Sequence, residues 1–243
     1  MRFRIDLEYD GSEYFGWQKQ KSTDKTIQNV LESSLKIILG SDIPVTAAGR
    51  TDTGVHALNM TAHFDYHKEI KKDSFLYSVN KILPGDIVLK NIRKVKNDFH
   101  ARYHAKKREY IYKITTKDIA IGRKYFYKLK YKIDFDILND FINFIKRVRC
   151  FKSLCKNAAD KHDFESIIYD INYKYNKSKG ELIFLITANR FLHSMVRAVI
   201  GTAIDVSRGR LETKVVKKAI LNKEKINIYY LPGNALFLKK IYY

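Results

Sequence analysis

Cysteine is scarce: Cys150 and Cys155 are the only two in 243 residues. Two cysteines cannot form a disulfide framework or a four-thiolate zinc site, and their scarcity suits a reducing compartment. Acidic residues are also short, 26 Asp and Glu against 46 Lys and Arg, which leaves a formal net charge of +20. No apolar run is long enough to cross a bilayer. The chain opens on Met1-Arg2-Phe3-Arg4-Ile5-Asp6, charged and apolar residues in alternation, with no apolar leader. No segment is of low complexity, and no internal repeat relates the two halves. A cytosolic globular protein is the expectation, with no membrane association through a spanning helix.

Hydrophobic residues make up 45% of the chain and aromatic residues 13%, so there is ample material for a core, either in one large domain or two small ones. A charge excess of this size is an argument about partners. Nucleic acid comes first, a membrane surface second, and a lysine-rich genome would raise the charge with neither.

One acidic residue stands out. In Ala48-Gly49-Arg50-Thr51-Asp52-Thr53-Gly54-Val55-His56-Ala57, Asp52 lies between two glycines and beside Arg50. Both glycines permit backbone angles that other residues resist. Pro44-Val45-Thr46 before this stretch favours extended chain and Thr61–Tyr66 after it reads as a strand, so Asp52 is expected on a sharp loop held by strands. Such loops often carry catalytic groups. An ordinary surface turn with a solvated Asp and Arg is the competing reading.

Periodicity organises the rest. Arg2–Tyr9 alternates, with Phe3, Ile5, Leu7 and Tyr9 on one face, and predicts a strand. Tyr14–Gln20 is an aromatic loop holding the single tryptophan, Trp17, either as a small core or as an RNA contact. Helices are predicted over Thr26–Leu39, stopped by Gly40, and over Asp73–Ile82, capped by Asp73 or Ser74. Strands are predicted over Ile87–Val95 and Arg108–Thr115, separated by a basic, aromatic-laced loop, 98–108, with the character of a phosphate-contacting edge. His63 and His67 lack a third ligand nearby, so no metal is expected.

Lys124–Lys132 reads as a strand or linker between halves. A helix follows over Phe135–Val148 with Asp134 as cap. Strands at Ser166–Tyr175 and Glu181–Thr187 form a hairpin. An apolar helix spans Asn189–Val206 with Arg197 in its middle, where an arginine either snorkels out or pairs with a carboxylate. A helix over Leu211–Leu221 and a strand beginning at Ala235 close the chain. The result is an α+β protein of two halves, 1–120 and 121–243, each with a mostly antiparallel sheet.

Five stretches in this order resemble the tRNA pseudouridine synthase A family over nearly the full length. They are Tyr9-Asp10-Gly11 with Phe15-Gly16-Trp17-Gln18; Ala48–Ala57; Asn80-Lys81-Ile82-Leu83-Pro84; Phe99-His100-Ala101-Arg102 with Arg108-Glu109-Tyr110-Ile111-Tyr112; and Phe191–Arg197 running on to Gly201. The resemblance implies the pseudouridine synthase fold, two similar halves around a central cleft. It implies isomerisation of uridine to pseudouridine at tRNA positions 38 to 40, in a homodimer, with no cofactor and no metal.

It also implies roles. Asp52 is the catalytic aspartate, attacking carbon or taking a ribose proton. Arg50 displaces the base and fills the gap it leaves. Tyr110 stacks on the uracil and helps remove the C5 proton. Arg197 pairs with the aspartate and would favour its ionised form. Leu236 lies under the base.

Departures from the family pattern fall mostly in the second half: Arg149–Leu154 replaces a usual His-Asp-Phe stretch, Ala235-Leu236-Phe237-Leu238 replaces a Gly-Leu-Tyr-Leu-like one, and 117–132 is shortened. These bear on substrate choice, and another tRNA position or another RNA is the alternative target. Two rivals have other functions. Asp52-Thr53-Gly54 matches the aspartic protease triplet, but it occurs once and follows Arg50-Thr51 instead of an apolar strand. A non-catalytic RNA-binding protein would share the charge and the aromatics, but would not need Asp52, Arg50, Tyr110 and Arg197 together.

Overall fold

A computed structural model describes residues 1–156 and 163–243. The alternation in the first residues becomes strand β1, Arg2–Tyr9, which buries Phe3, Ile5, Leu7 and Tyr9. The opposite face is not left to solvent. Asp6 is also buried, held by Arg4 at 2.9 Å and by the Thr61 hydroxyl at 2.7 Å. Arg4 itself lies against the Tyr243 ring at 4.6 Å, which covers this face.

The chain divides into two compact units, residues 1–106 with 237–243, and residues 107–236. The sequence reading put the division after residue 120. In the structure, β5 (Lys107–Thr115) already pairs antiparallel along its length with β8 (Glu181–Ala188), which draws it into the second unit.

In the first unit the strand order is β4-β1-β3-β9, from β3 (His56–Asp65), β4 (Ile87–Val95) and β9 (Leu236–Tyr242). β1 runs antiparallel to β3 and β4, whereas β9 joins β3 in parallel at His56 and Ala57. A two-residue strand β2, Thr46–Ala47, pairs with His63 and Ala62.

Helix α1, Ile27–Leu39, stops as predicted at Gly40, which takes the left-handed conformation; it starts one residue later than predicted, with Thr26 as its cap accepting the Asn29 N–H. It buries Ile27, Leu31 and Leu35. Helix α2, Lys72–Ile82, begins one residue before the expected cap, and its N-cap Lys71 makes no side-chain cap bond. Asp73 sits instead inside the first turn, where a carboxylate favours the positive end of the helix dipole without capping it.

In the second unit β7 (Ile168–Asn176), β8 and β5 form an antiparallel run, and a short β6, Tyr127–Lys128, lies parallel to the end of β5. Helix α3, Phe135–Ile145, is capped by the Asp134 carboxylate, which accepts from the N–H groups of Asp136 and Ile137. It packs on α4, Met195–Ser207, and on α5, Thr213–Leu221.

Helix α4 begins six residues later than its apolar run suggests. Ser194 takes φ 57°, a left-handed angle that breaks the helix, so Phe191 and Leu192 belong to the approach segment. Periodicity counted apolar side chains and could not register that turn. Among the described residues there are five α-helices, none long and apolar enough to cross a membrane.

Candidate active site

Asp52 lies on loop 48–55 between β2 and β3, the strand-held position expected from its neighbours. Of the two flanking glycines only Gly54 needs its freedom, at φ 74°; Gly49 takes no left-handed angle. Val55 donates its N–H to the Asp52 carbonyl at 3.1 Å, closing the turn that presents the carboxylate. Arg50 is exposed, Thr51 buried and Asp52 half-buried, so the loop turns Thr51 inward between the arginine and the aspartate.

The buried one is the anchor. The Thr51 hydroxyl bonds the Tyr9 hydroxyl at 2.9 Å, and the Thr51 carbonyl accepts the Trp17 N–H at 3.1 Å. Gly54 donates its N–H to the Tyr14 carbonyl at 3.2 Å. The aromatic loop of residues 14–20 is therefore a support for the Asp52 loop. Two glycines make the approach possible. A Cβ at Gly16, which has φ +89°, would stand 2.5 Å from the Thr51 carbonyl oxygen, and one at Gly11 would stand 2.1 Å from that of Val55. Trp17 is fully buried against Tyr9 with ring centroids 6.1 Å apart, which decides for a small core over an RNA contact. Of the three aromatic residues in this loop only Phe15 is exposed.

The histidine of the same stretch has a structural job. His56 is buried and stacks on Phe237 at 4.5 Å, directly across the β3–β9 pairing. Its Nδ1 accepts the Gly11 N–H at 3.0 Å, so the ring ties the Tyr9-Asp10-Gly11 turn to the loop that carries Asp52.

The basic loop 98–106 is bound to the same sheet. Ala101 donates its N–H to Nδ1 of buried His63 at 3.2 Å, and Tyr243 donates its hydroxyl to the Ala101 carbonyl at 2.8 Å. Arg102, Tyr103 and Lys106 remain exposed around this anchor. Burial pushes the His63 imidazole down to about 4, aided by the nearby charges of Arg2 and His100.

The second unit holds the other three residues. Tyr110 is on β5 opposite Ile186, its ring buried and edge-on to Phe191 at 5.1 Å. Phe191 belongs to the approach segment of α4, and Arg197 is the third residue of that helix. Twelve of the thirteen residues of α4 are buried and Arg197 is the exception. Its Nε donates to the Leu231 carbonyl.

That bond exposes a feature missed by sequence reasoning. Residues 229–232 form a strap across α4 and β5. Tyr112 donates its hydroxyl to the Pro232 carbonyl at 2.9 Å, and burial holds this phenol well above its usual range. Gly201 clears the path, since a Cβ there would lie 2.3 Å from the Tyr229 carbonyl oxygen. The strap leads directly into buried Leu236, the first residue of β9. The signal was present in Gly201, six residues after Met195 in an apolar helix, but nothing in the sequence says which backbone would lie against it.

Thus one unit puts Arg50 and Asp52 on a single braced loop. The other ties Tyr110, Arg197 and Leu236 to one framework of α4, β5 and strap. A carboxylate fixed by its backbone beside an arginine, an aromatic ring locked edge-on, and a guanidinium emerging from an apolar helix are groups suited to a flipped base and a ribose. Among the described residues no group of three or more His, Cys, Asp or Glu could hold a metal ion.

Comparison with known proteins agrees with this class. A sequence profile described as tRNA pseudouridine synthase matches residues 7–104 and 148–243. Curated relatives include the tRNA pseudouridine synthase A of Bacteroides thetaiotaomicron, 36% identical over 100% of this chain and 90% of its own length. That of Caldicellulosiruptor bescii is 36% identical over 98% of each chain, and that of Bacteroides fragilis 37% identical over 100% of this chain and 96% of its own. The chain belongs to the tRNA pseudouridine synthase family, a family of isomerases.

Proposed function

We propose that this protein converts uridine to pseudouridine in tRNA, at positions 38 to 40 of the anticodon arm, with Asp52 as the catalytic residue. The observation that carries the reading is the Asp52 loop. Its carboxylate is presented by a backbone turn that two close-approach glycines and the Tyr9–Thr51 bond brace from beneath. A solvated surface turn would need none of this support.

The reaction is an isomerisation and needs no co-reactant. The N1–C1′ bond breaks, the uracil turns, and a C5–C1′ bond forms; C5 gives up its proton and N1 gains one. Asp52 starts it by attacking an electrophilic carbon or by taking a ribose proton. Exposed Arg50 stands next to it, free to enter the space left by the displaced base, which offsets part of the few kcal/mol that flipping costs. Tyr110 stacks on the uracil and assists loss of the C5 proton, Arg197 supplies a guanidinium that favours an ionised carboxylate in the reaction, and Leu236 lies under the base. The protein works without cofactor or metal, in the cytoplasm, as a homodimer on one class of substrate, tRNA.

The test is pseudouridine mapping on an unmodified tRNA with uridines throughout the anticodon arm, using wild type, Asp52→Ala and Asp52→Asn. Pseudouridine at 38 to 40 with wild type only, and tRNA binding retained by both variants, is the expected result. Turnover near wild type in Asp52→Asn would remove Asp52 from the mechanism. Modification at another position would keep the chemistry and change the target.

A further inference from the structure

Part of the second unit takes no role in the site described above. After β6 the chain crosses the end of the sheet and enters α3. It is pinned at both ends: Leu129 donates its N–H to the Thr115 carbonyl at 2.8 Å, and Asp134 donates its own to the Ser207 carbonyl at 2.9 Å. Residues 128–133, which run from just before the first pin to just before the second, form one wall of an open pocket of about 590 Å³. Its floor is apolar, from buried Leu129 and Leu182.

Two tyrosines rise from this floor, and both are held in place. Tyr131 is 57% exposed, with the Arg208 guanidinium 4.4 Å from its ring centre. Tyr175 is 40% exposed and leans on Phe135 at 5.0 Å. Three exposed lysines, Lys128, Lys130 and Lys132, alternate along the same wall. The one acid of the lining, Asp118, is paired with Lys128, so Lys130 and Lys132 set the sign of the field. The pocket lies away from Tyr110. It opens at the Thr115 end of β5, five residues or about 17 Å further along the strand.

We propose that this pocket is a second RNA-holding site, which seats an unpaired nucleotide of the substrate with its base on Tyr131 or Tyr175 and neighbouring phosphates on Lys130 and Lys132. Fixed aromatic faces beside a row of cations are what single-stranded nucleic acid recognises, because every base has a π-face and every linkage a charge. An anionic occupant fits, since Lys130 and Lys132 face the pocket while its one acid, Asp118, is already paired. The site rests on the proposed action on tRNA. It extends that reading by placing a part of the RNA other than the reacting nucleotide in contact with the shortened 117–132 segment.

The experiment measures affinity for an unmodified tRNA transcript across a salt series, together with the single-turnover rate at saturating protein, for Tyr131→Ala, for Lys130→Gln/Lys132→Gln, and for a control pair of exposed lysines in the first unit, Lys71→Gln/Lys72→Gln. Tyr131→Ala is expected to weaken binding at least fivefold with an unchanged salt slope. The Lys130/Lys132 pair should lower the slope of log K against log salt by about 1.4 to 1.8. The control pair should do neither, and the saturated rate should stay at the wild-type value in all three. All these side chains are exposed, so folding is checked only by matching melting curves.

Affinity within twofold of wild type for Tyr131→Ala, or an equal slope change in the control pair, would reduce the pocket to general basic surface and overturn the proposal. Affinity is read without turnover. Failure of wild type to form pseudouridine while Tyr131→Ala still weakens binding would therefore overturn the catalytic reading alone.

Discussion

His63 shows what a single buried residue contributes. It sits on β3 with its Nδ1 accepting the Ala101 N–H, and that bond requires an unprotonated ring nitrogen. Burial is the main reason its pKa falls to about 4, with Arg2 and His100 adding repulsion and Asp65 partly opposing. In the unfolded chain the imidazole titrates near 6.5. The unfolded state thus binds the proton first as pH falls, and stability is lost between about 6.5 and 4. Urea unfolding at pH 7 and pH 5 should show a loss of roughly 1–3 kcal/mol beyond that of a His63→Gln variant. Equal losses in both proteins would mean that the ring is not held neutral.

Among the elements, the Asp52 loop depends on how closely another loop can approach it. Gly16 combines φ +89° with contact on the Thr51 carbonyl, so Gly16→Ala adds backbone strain and a clash at once. The expected cost is about 2–4 kcal/mol in a denaturant melt, with a single-turnover rate that falls more than affinity does, because the displaced backbone is that of Thr51 and Asp52. Gly40→Ala is the comparison. That glycine also has a left-handed angle, φ +72°, but nothing lies within 4 Å of its Cβ position, so it should lose about 1 kcal/mol and keep the rate. A Gly16→Ala variant as active as Gly40→Ala would show that the Asp52 turn holds its shape unaided. The strap over α4 is built on the same device, with Gly201 making room for the Tyr229 carbonyl.

At the scale of the molecule, the charge of +20 sets how binding responds to salt. Each phosphate that meets a lysine or arginine releases counterions, so affinity for tRNA should fall at least a hundredfold between 50 and 200 mM salt. Asp52→Asn should show the same slope as wild type, since removing one carboxylate from the reaction leaves the phosphate contacts in place. A flat salt response would mean that the basic surface serves something other than RNA.

Sequence alone carries the strands β1 and β4, the stop at Gly40, the cap at Asp134, the hairpin of β7 and β8, and the family. These rest on local patterns: side-chain alternation, capping chemistry, and short motifs in a fixed order. It also marked Asp52, because a carboxylate between two glycines is locally unusual. Long-range partners decided the rest. Ser194 breaks the helix ahead of Arg197 although Phe191, Leu192, Met195 and Val196 continue an apolar run around it. β5 joins the second unit because it finds β8. The Trp17 loop and the 229–232 strap serve as supports because distant backbone lies 2.5 and 2.3 Å from where a Cβ would stand on Gly16 and Gly201. A glycine in a sequence announces that something comes close; only the folded chain shows what it is.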